Sequence, residues 1–165
     1  MERLVFALAF ALTCSMSALA EDKPDLTALM KPVAAFAAAF NRVQTAYPTD
    51  AFADSMVVLD QFGPFVWDGT GGAHDWWSRL VGRTPEEHAR LLVNPDKVVF
   101  GNAQFVNVSR DGTRAYFNVP STLTYTLNGK AIVQRARYVF AEQKFDDGWK
   151  IVASAWAVES DTSVR

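Results

Sequence analysis

Three tight turns set at near-equal intervals in the second half of the chain restrict its fold more than any other feature. Arg110-Asp111-Gly112, Asn128-Gly129 and Asp146-Asp147-Gly148 separate four runs rich in β-branched and aromatic residues. Asn-Gly between two such runs is the strongest short-range hairpin signal, because both central residues of the turn need positive φ. The runs are Val98 to Ser109, Arg114 to Leu127, Ala131 to Phe145 and Trp149 to Val158. Joined by such turns, they predict an antiparallel meander. In the second run Ala115, Phe117 and Val119 alternate with Tyr116, Asn118 and Thr122; in the third, Ala136, Tyr138 and Phe140 alternate with Arg135, Arg137 and Val139. Each strand therefore has one face for a core and one that is only partly apolar, which suits a homodimer formed through the sheet.

The first half of the chain is helical in character. Val33, Phe36, Ala37, Phe40, Val43 and Tyr47 recur at three- and four-residue spacing, framed by Pro32 and Pro48. Met56 to Leu59 and Phe65 to Trp67 read as two short strands around Gly63-Pro64. Ala73 to Val81 reads as a helix carrying Trp76 and Trp77. Thr84-Pro85-Glu86-Glu87 starts another that runs to about Val93. Helices first and strands last predict an α+β domain with N-terminal helices packed on a curved antiparallel sheet.

The chain opens MERLVFALAFALTCSMSALA: a basic residue, an apolar run from Leu4 to Leu12, and Ala18-Leu19-Ala20 at its close. This is the pattern of a secretory leader cleaved after Ala20, giving a periplasmic or secreted protein. The run is too short to span a membrane, which takes roughly 20 apolar residues. Ala11-Leu12-Thr13 ahead of Cys14 is a poor lipidation box. Cleavage removes the only cysteine, so the mature chain offers no thiol for catalysis, disulfides or metal binding. We expect a leader over 1–20, a flexible lead-in over 21–31, one domain over 32–159, and a flexible tail over 160–165. With a net charge of −2 and no basic stripe, nucleic acid is not an expected partner, nor is a membrane once the leader is gone.

One carboxylate stands out. Asp60 closes the apolar run Met56–Leu59, immediately before Gln61-Phe62-Gly63-Pro64. An Asp in that position either caps the turn or, where the strand opens onto a cavity, is a candidate proton-transfer base. His74, at the start of the tryptophan-bearing helix, is a candidate auxiliary acid or base. Trp67, Trp76, Tyr116, Tyr138 and Trp156 are candidate ligand-binding residues, and imply a small apolar or aromatic ligand. His88, amid Glu86, Glu87 and Arg90, reads as a surface residue. Two histidines without matching acids give no metal signature, and no glycine pattern for a nucleotide follows a strand, so no metal or cofactor is expected.

The order of these elements resembles the nuclear-transport-factor-2-like superfamily, the cystatin-like α+β cone that includes SnoaL-like cyclases and ketosteroid isomerases. The resemblance runs from AAFNRVQTAY, Ala38 to Tyr47, to GWKIVASAWA, Gly148 to Ala157. Its most specific block is ADSMVVLDQFG, Ala53 to Gly63, which places Asp60 at the isomerases' base position. It implies a cofactor-independent isomerase, cyclase or lyase, or a ligand-binding or dimeric interaction module on the same fold. The isomerases add a tyrosine and a protonated Asp that hold the developing oxyanion. Here the first helix offers Phe36, Phe40, Asn41 and Arg42, with Tyr47 only at its end. The third meander strand offers Ala141, with Glu142 on the opposite face. Steroid isomerisation is therefore not implied, and the chain looks closest to exported SnoaL-like members.

Overall fold

The computed structural model describes residues 25–163, so the expected leader over 1–20 lies outside the described residues. The first helix, α1 (Leu26–Asn41), starts well ahead of Pro32. The Asp25 carboxylate caps it by accepting from Thr27 N and Ala28 N, at 3.0 and 3.3 Å. The lead-in expected over 21–31 is thus helical from Leu26, and Pro32 lies inside the helix instead of at its first turn. Leu29, Pro32, Val33 and Phe36 all fall on the buried face. Burial of that stripe, with the cap, outweighs the N–H that Pro32 lacks.

Strand β1 (Phe52–Leu59) pairs with the two-residue β2 (Val66–Trp67) around the Asp60–Phe65 loop. Helices α2 (Gly72–Val81) and α3 (Pro85–Val93) follow, the latter opened by a capping box between Thr84 and Glu87. His88, expected at the surface, is half-buried, and its Nδ1 lies 2.8 Å from the Val81 carbonyl oxygen.

The run expected as one strand from Val98 is two, β3 (Lys97–Phe100) and β4 (Gln104–Val108). Both pair with β5 (Arg114–Leu127), on either side of Pro120. Pro120 has no N–H to donate, so the ladder breaks there. Its carbonyl instead accepts from Gly101 N at 2.8 Å. Strand β6 (Lys130–Phe145) follows through Asn128-Gly129, both at positive φ as an Asn-Gly hairpin requires. Strand β7 (Gly148–Ser163) completes the sheet. The expected tail from 160 is therefore strand through Ser163, with Asp161 opposite Gln134.

The sheet order is β2-β1-β7-β6-β5-β3, with β4 also on β5. One pair departs from the expected antiparallel sheet: β1 runs parallel to β7. The chain leaves β1 through β2 and two helices and returns to it only with its last strand, so this edge is a crossover and not a hairpin. Ala115, Phe117 and Val119 of β5, and Gln134 to Glu142 at every second position of β6, lie buried on the inner face. Glu142 therefore points inward with Tyr138 and Phe140; the face opposite Ala141 is the core side. Phe36 sits at the centre of that core, its ring 5.1 Å from Phe52, 5.9 Å from Trp76 and 5.7 Å from Tyr138.

Candidate functional site

Along β1, Met56 and Val58 are buried while Val57 and Leu59 are exposed. The alternation carries Asp60 to the inner side, where it lines a cavity of about 60 Å³ between α1, α2 and the sheet. The turn holds its backbone: Asp60 N donates to Phe65 O at 3.1 Å. Its carboxylate is gripped twice. Oδ1 accepts from Gln61 N at 2.7 Å, and Oδ2 accepts from the indole Nε1 of Trp76 at 2.8 Å. Burial pushes the carboxyl above its ordinary range, and these two bonds pull part of the way back. Asp60 thus caps its turn and faces a cavity at once.

The cavity wall is otherwise almost wholly apolar. Phe36, Phe40, Phe62 and Leu123 surround Asp60 together with Trp76, Tyr138 and Trp156. Among the described residues, no Lys, Arg or His lines it. Tyr138 is the one other ionisable group there among the described residues. Burial and then the nearby Asp60 charge hold its hydroxyl above the ordinary tyrosine value, so it stays protonated and able to donate.

Three of the five expected ligand-binding residues therefore meet at the cavity: Trp76, Tyr138 and Trp156. Trp67 is buried but stands off the cavity wall, with its ring 5.7 Å from Phe62 and the Arg83 guanidinium 5.9 Å above it. Tyr116 is about half exposed on the outer face of the sheet, because its neighbours Ala115 and Phe117 take the inner positions. His74 is not brought to Asp60 either. Helix α2 turns Ala73, Trp76 and Trp77 inward, leaving His74 exposed and stacked on Tyr47 at 3.9 Å, beside a separate hollow lined by Asp54 and Gly69.

Two features lie beyond the residues singled out from sequence. The first is a polar network behind Asp60. Gln61 and Gln134 bond each other through both amides, at 2.9 and 3.1 Å. Gln134 also donates to Asp161 Oδ1 at 2.9 Å and accepts from Trp156 Nε1 at 2.8 Å. The second is Glu142, 1% exposed, with neither carboxyl oxygen hydrogen-bonded to any described residue. Burial alone pushes its carboxyl up to about 8. It is not among the residues lining the cavity. The described residues contain no cluster of three or more His, Cys, Asp or Glu placed to hold a metal ion.

No family model and no curated protein matches the sequence. Solved structures do match. An NTF2-like protein with a cystatin-like fold from Novosphingobium aromaticivorans is similar with a TM-score of 0.62 and 14% identity, over 80% of each chain. The hexachlorocyclohexane dehydrochlorinase LinA-type3 from Novosphingobium barchaimii LL02 gives a TM-score of 0.63 and 13% identity, over 84% of this chain and 88% of its own. A ketosteroid isomerase-like protein from Erwinia carotovora atroseptica gives 0.58 and 15%, over 82% and 96%. These likenesses establish the fold as nuclear-transport-factor-2-like, as the order of elements in the sequence implied.

Proposed function

We propose that the chain binds a small apolar molecule in the cavity beside Asp60, and that Asp60 exchanges a proton with it. The observation that supports this most directly is a carboxylate with no cationic partner among the described residues, gripped by an indole N–H and a backbone N–H and facing an apolar wall. Burial that raises its pKa makes the ionised form a stronger base, brought closer to working pH. Asp60 would take a proton from a carbon next to a carbonyl, with the Tyr138 hydroxyl donating to the oxygen on which charge develops. Return of that proton to a second carbon is isomerisation; loss of a leaving group is elimination. Two of the fold neighbours, a dehydrochlorinase and a ketosteroid isomerase-like protein, lend this chemistry support by analogy.

The cavity is small beside ligand pockets of roughly 300–1,000 Å³. A larger ligand therefore enters only if residues that line the cavity shift. The reading is tested by carboxyl NMR titration of Asp60, with Asp60→Asn as the assignment control, followed by proton exchange into small carbonyl compounds. A midpoint in the ordinary aspartate range would remove the chemistry.

A second reading is a dimeric interaction module. The exposed Val57, Leu59 and Tyr116 on the outer face favour a homodimer through the sheet. Export through the leader over 1–20, to the periplasm or medium, is part of the same proposal.

A further inference from the structure

Gln134 lies 1% exposed on β6, and its side chain uses all of its hydrogen-bonding capacity. An amide has two N–H donors and two carbonyl lone pairs. Here the donors go to Gln61 Oε1 and Asp161 Oδ1, and the carbonyl accepts from Gln61 Nε2 and Trp156 Nε1. A carboxylate only accepts and an indole N–H only donates, so Asp161 and Trp156 together allow the amide one orientation. Flipped, it would set an oxygen against Asp161 and an N–H against the indole. Gln134 therefore presents a fixed donor–acceptor pair to Gln61, and Gln61 matches it with both of its own groups. With its capacity filled, Gln134 has nothing left for a ligand.

Gln61 is where this order reaches the site. Its backbone N–H grips Asp60 Oδ1, it lines the cavity, and the residue as a whole is exposed. It thus stands at the boundary between cavity and solvent. We infer that Gln134 is a positioning residue: through its amide pair with Gln61 it pins the loop that both holds Asp60 and closes the cavity over it. The C-terminal end of β7 takes part, since Asp161 sets the orientation of Gln134. The inference rests on the reading of Asp60 as the working group of the site.

The test is the Asp60 carboxyl titration in the full chain, compared with Gln61→Ala and Gln134→Met. Burial is the larger influence on Asp60, ahead of its hydrogen bonds. Releasing the loop admits water, so both variants are expected to bring the midpoint down toward the ordinary range. Gln61→Ala breaks the same amide pair from its solvent-facing side and leaves Gln134 in place on β6, so it reads release of the loop if Gln134→Met fails to fold. Folded variants whose midpoint stays at the wild-type value, or rises, would overturn the inference. An ordinary midpoint already present in the wild-type chain would instead overturn the functional reading.

Discussion

Trp76 Nε1 donates to Asp60 Oδ2 at 2.8 Å, so a core tryptophan of α2 serves as the side-chain partner of a strand-end carboxylate. The indole is 1% exposed and packs on Phe36, Phe52 and Trp77. Its orientation is fixed by the core, and the core thereby fixes one oxygen of Asp60.

Trp76→Phe keeps most of the ring and deletes the donor. The Asp60 midpoint is expected to rise further, since one of the two bonds that lower it is gone. Stability is expected to fall by about 1–3 kcal/mol. The fall should be largest above that midpoint, where the unpaired oxygen belongs to a charged group. Urea melts at two pH values check this; an equal loss at both would mean that ring volume, not the hydrogen bond, is what matters.

Glu142 gives the fold a pH dependence of definite sign. Its folded value of about 8 lies above the unfolded 4.5, so the native state holds the proton more tightly. The stability this confers is full below pH 4.5 and is lost as pH rises toward 8, a span on the order of 3–5 kcal/mol. Glu142→Leu is expected to remove most of that slope and to raise the melting temperature at alkaline pH. Asp60 and Asp96, also raised by burial, leave a smaller decline of the same sign. A melting curve as pH-dependent as the wild type would contradict the assignment.

A homodimer through the sheet should sediment at twice the protomer mass. Leu59→Glu together with Tyr116→Glu puts two carboxylates on the outer face, and is expected to return the protein to monomer with its helical and strand signals intact. Wild-type protein that sediments as a monomer at micromolar concentration would dispose of the interface.

Export predicts a measurable trimming. Intact mass spectrometry of the exported chain should show it starting at Glu21, and a thiol reagent should find nothing to label, because Cys14 has gone with the leader. Exported chain that retains Met1 would refute the cleavage.

Most of the fold could be read locally. The Asn128-Gly129 turn, the Thr84–Glu87 cap and the inward alternation of Phe117 and Val119 each depend on neighbours in the chain. The misplacements share a cause as well. Pro32 looks like a helix start until Asp25 is seen to cap about two turns earlier. His74 looks close to Asp60 until the period of Ala73, Trp76 and Trp77 is followed around α2, which turns it outward; that signal was available in the sequence. Tyr116 could likewise have been assigned outward from Ala115 and Phe117. Nothing local announces the parallel pairing of β1 with β7. Nothing local joins Gln61 to Gln134 either, since the bond spans 73 positions and each glutamine alone looks like an ordinary surface residue.

The parallel pairing of β1 with β7 also joins strands far apart in the chain. The helices, the β1–β2 hairpin and the meander can each form from nearby residues, but β1 joins the rest of the sheet only along the final strand. Closing a loop over such a separation costs more chain entropy than forming the local contacts. A chain emerging from its N-terminus therefore has Asp60 and Trp76 in hand long before it has a wall to set them against. Loss of the last sixteen-residue strand would take Trp156 from the cavity wall and cut the β1–β2 hairpin off from the rest of the sheet, parting Asp60 from Tyr138.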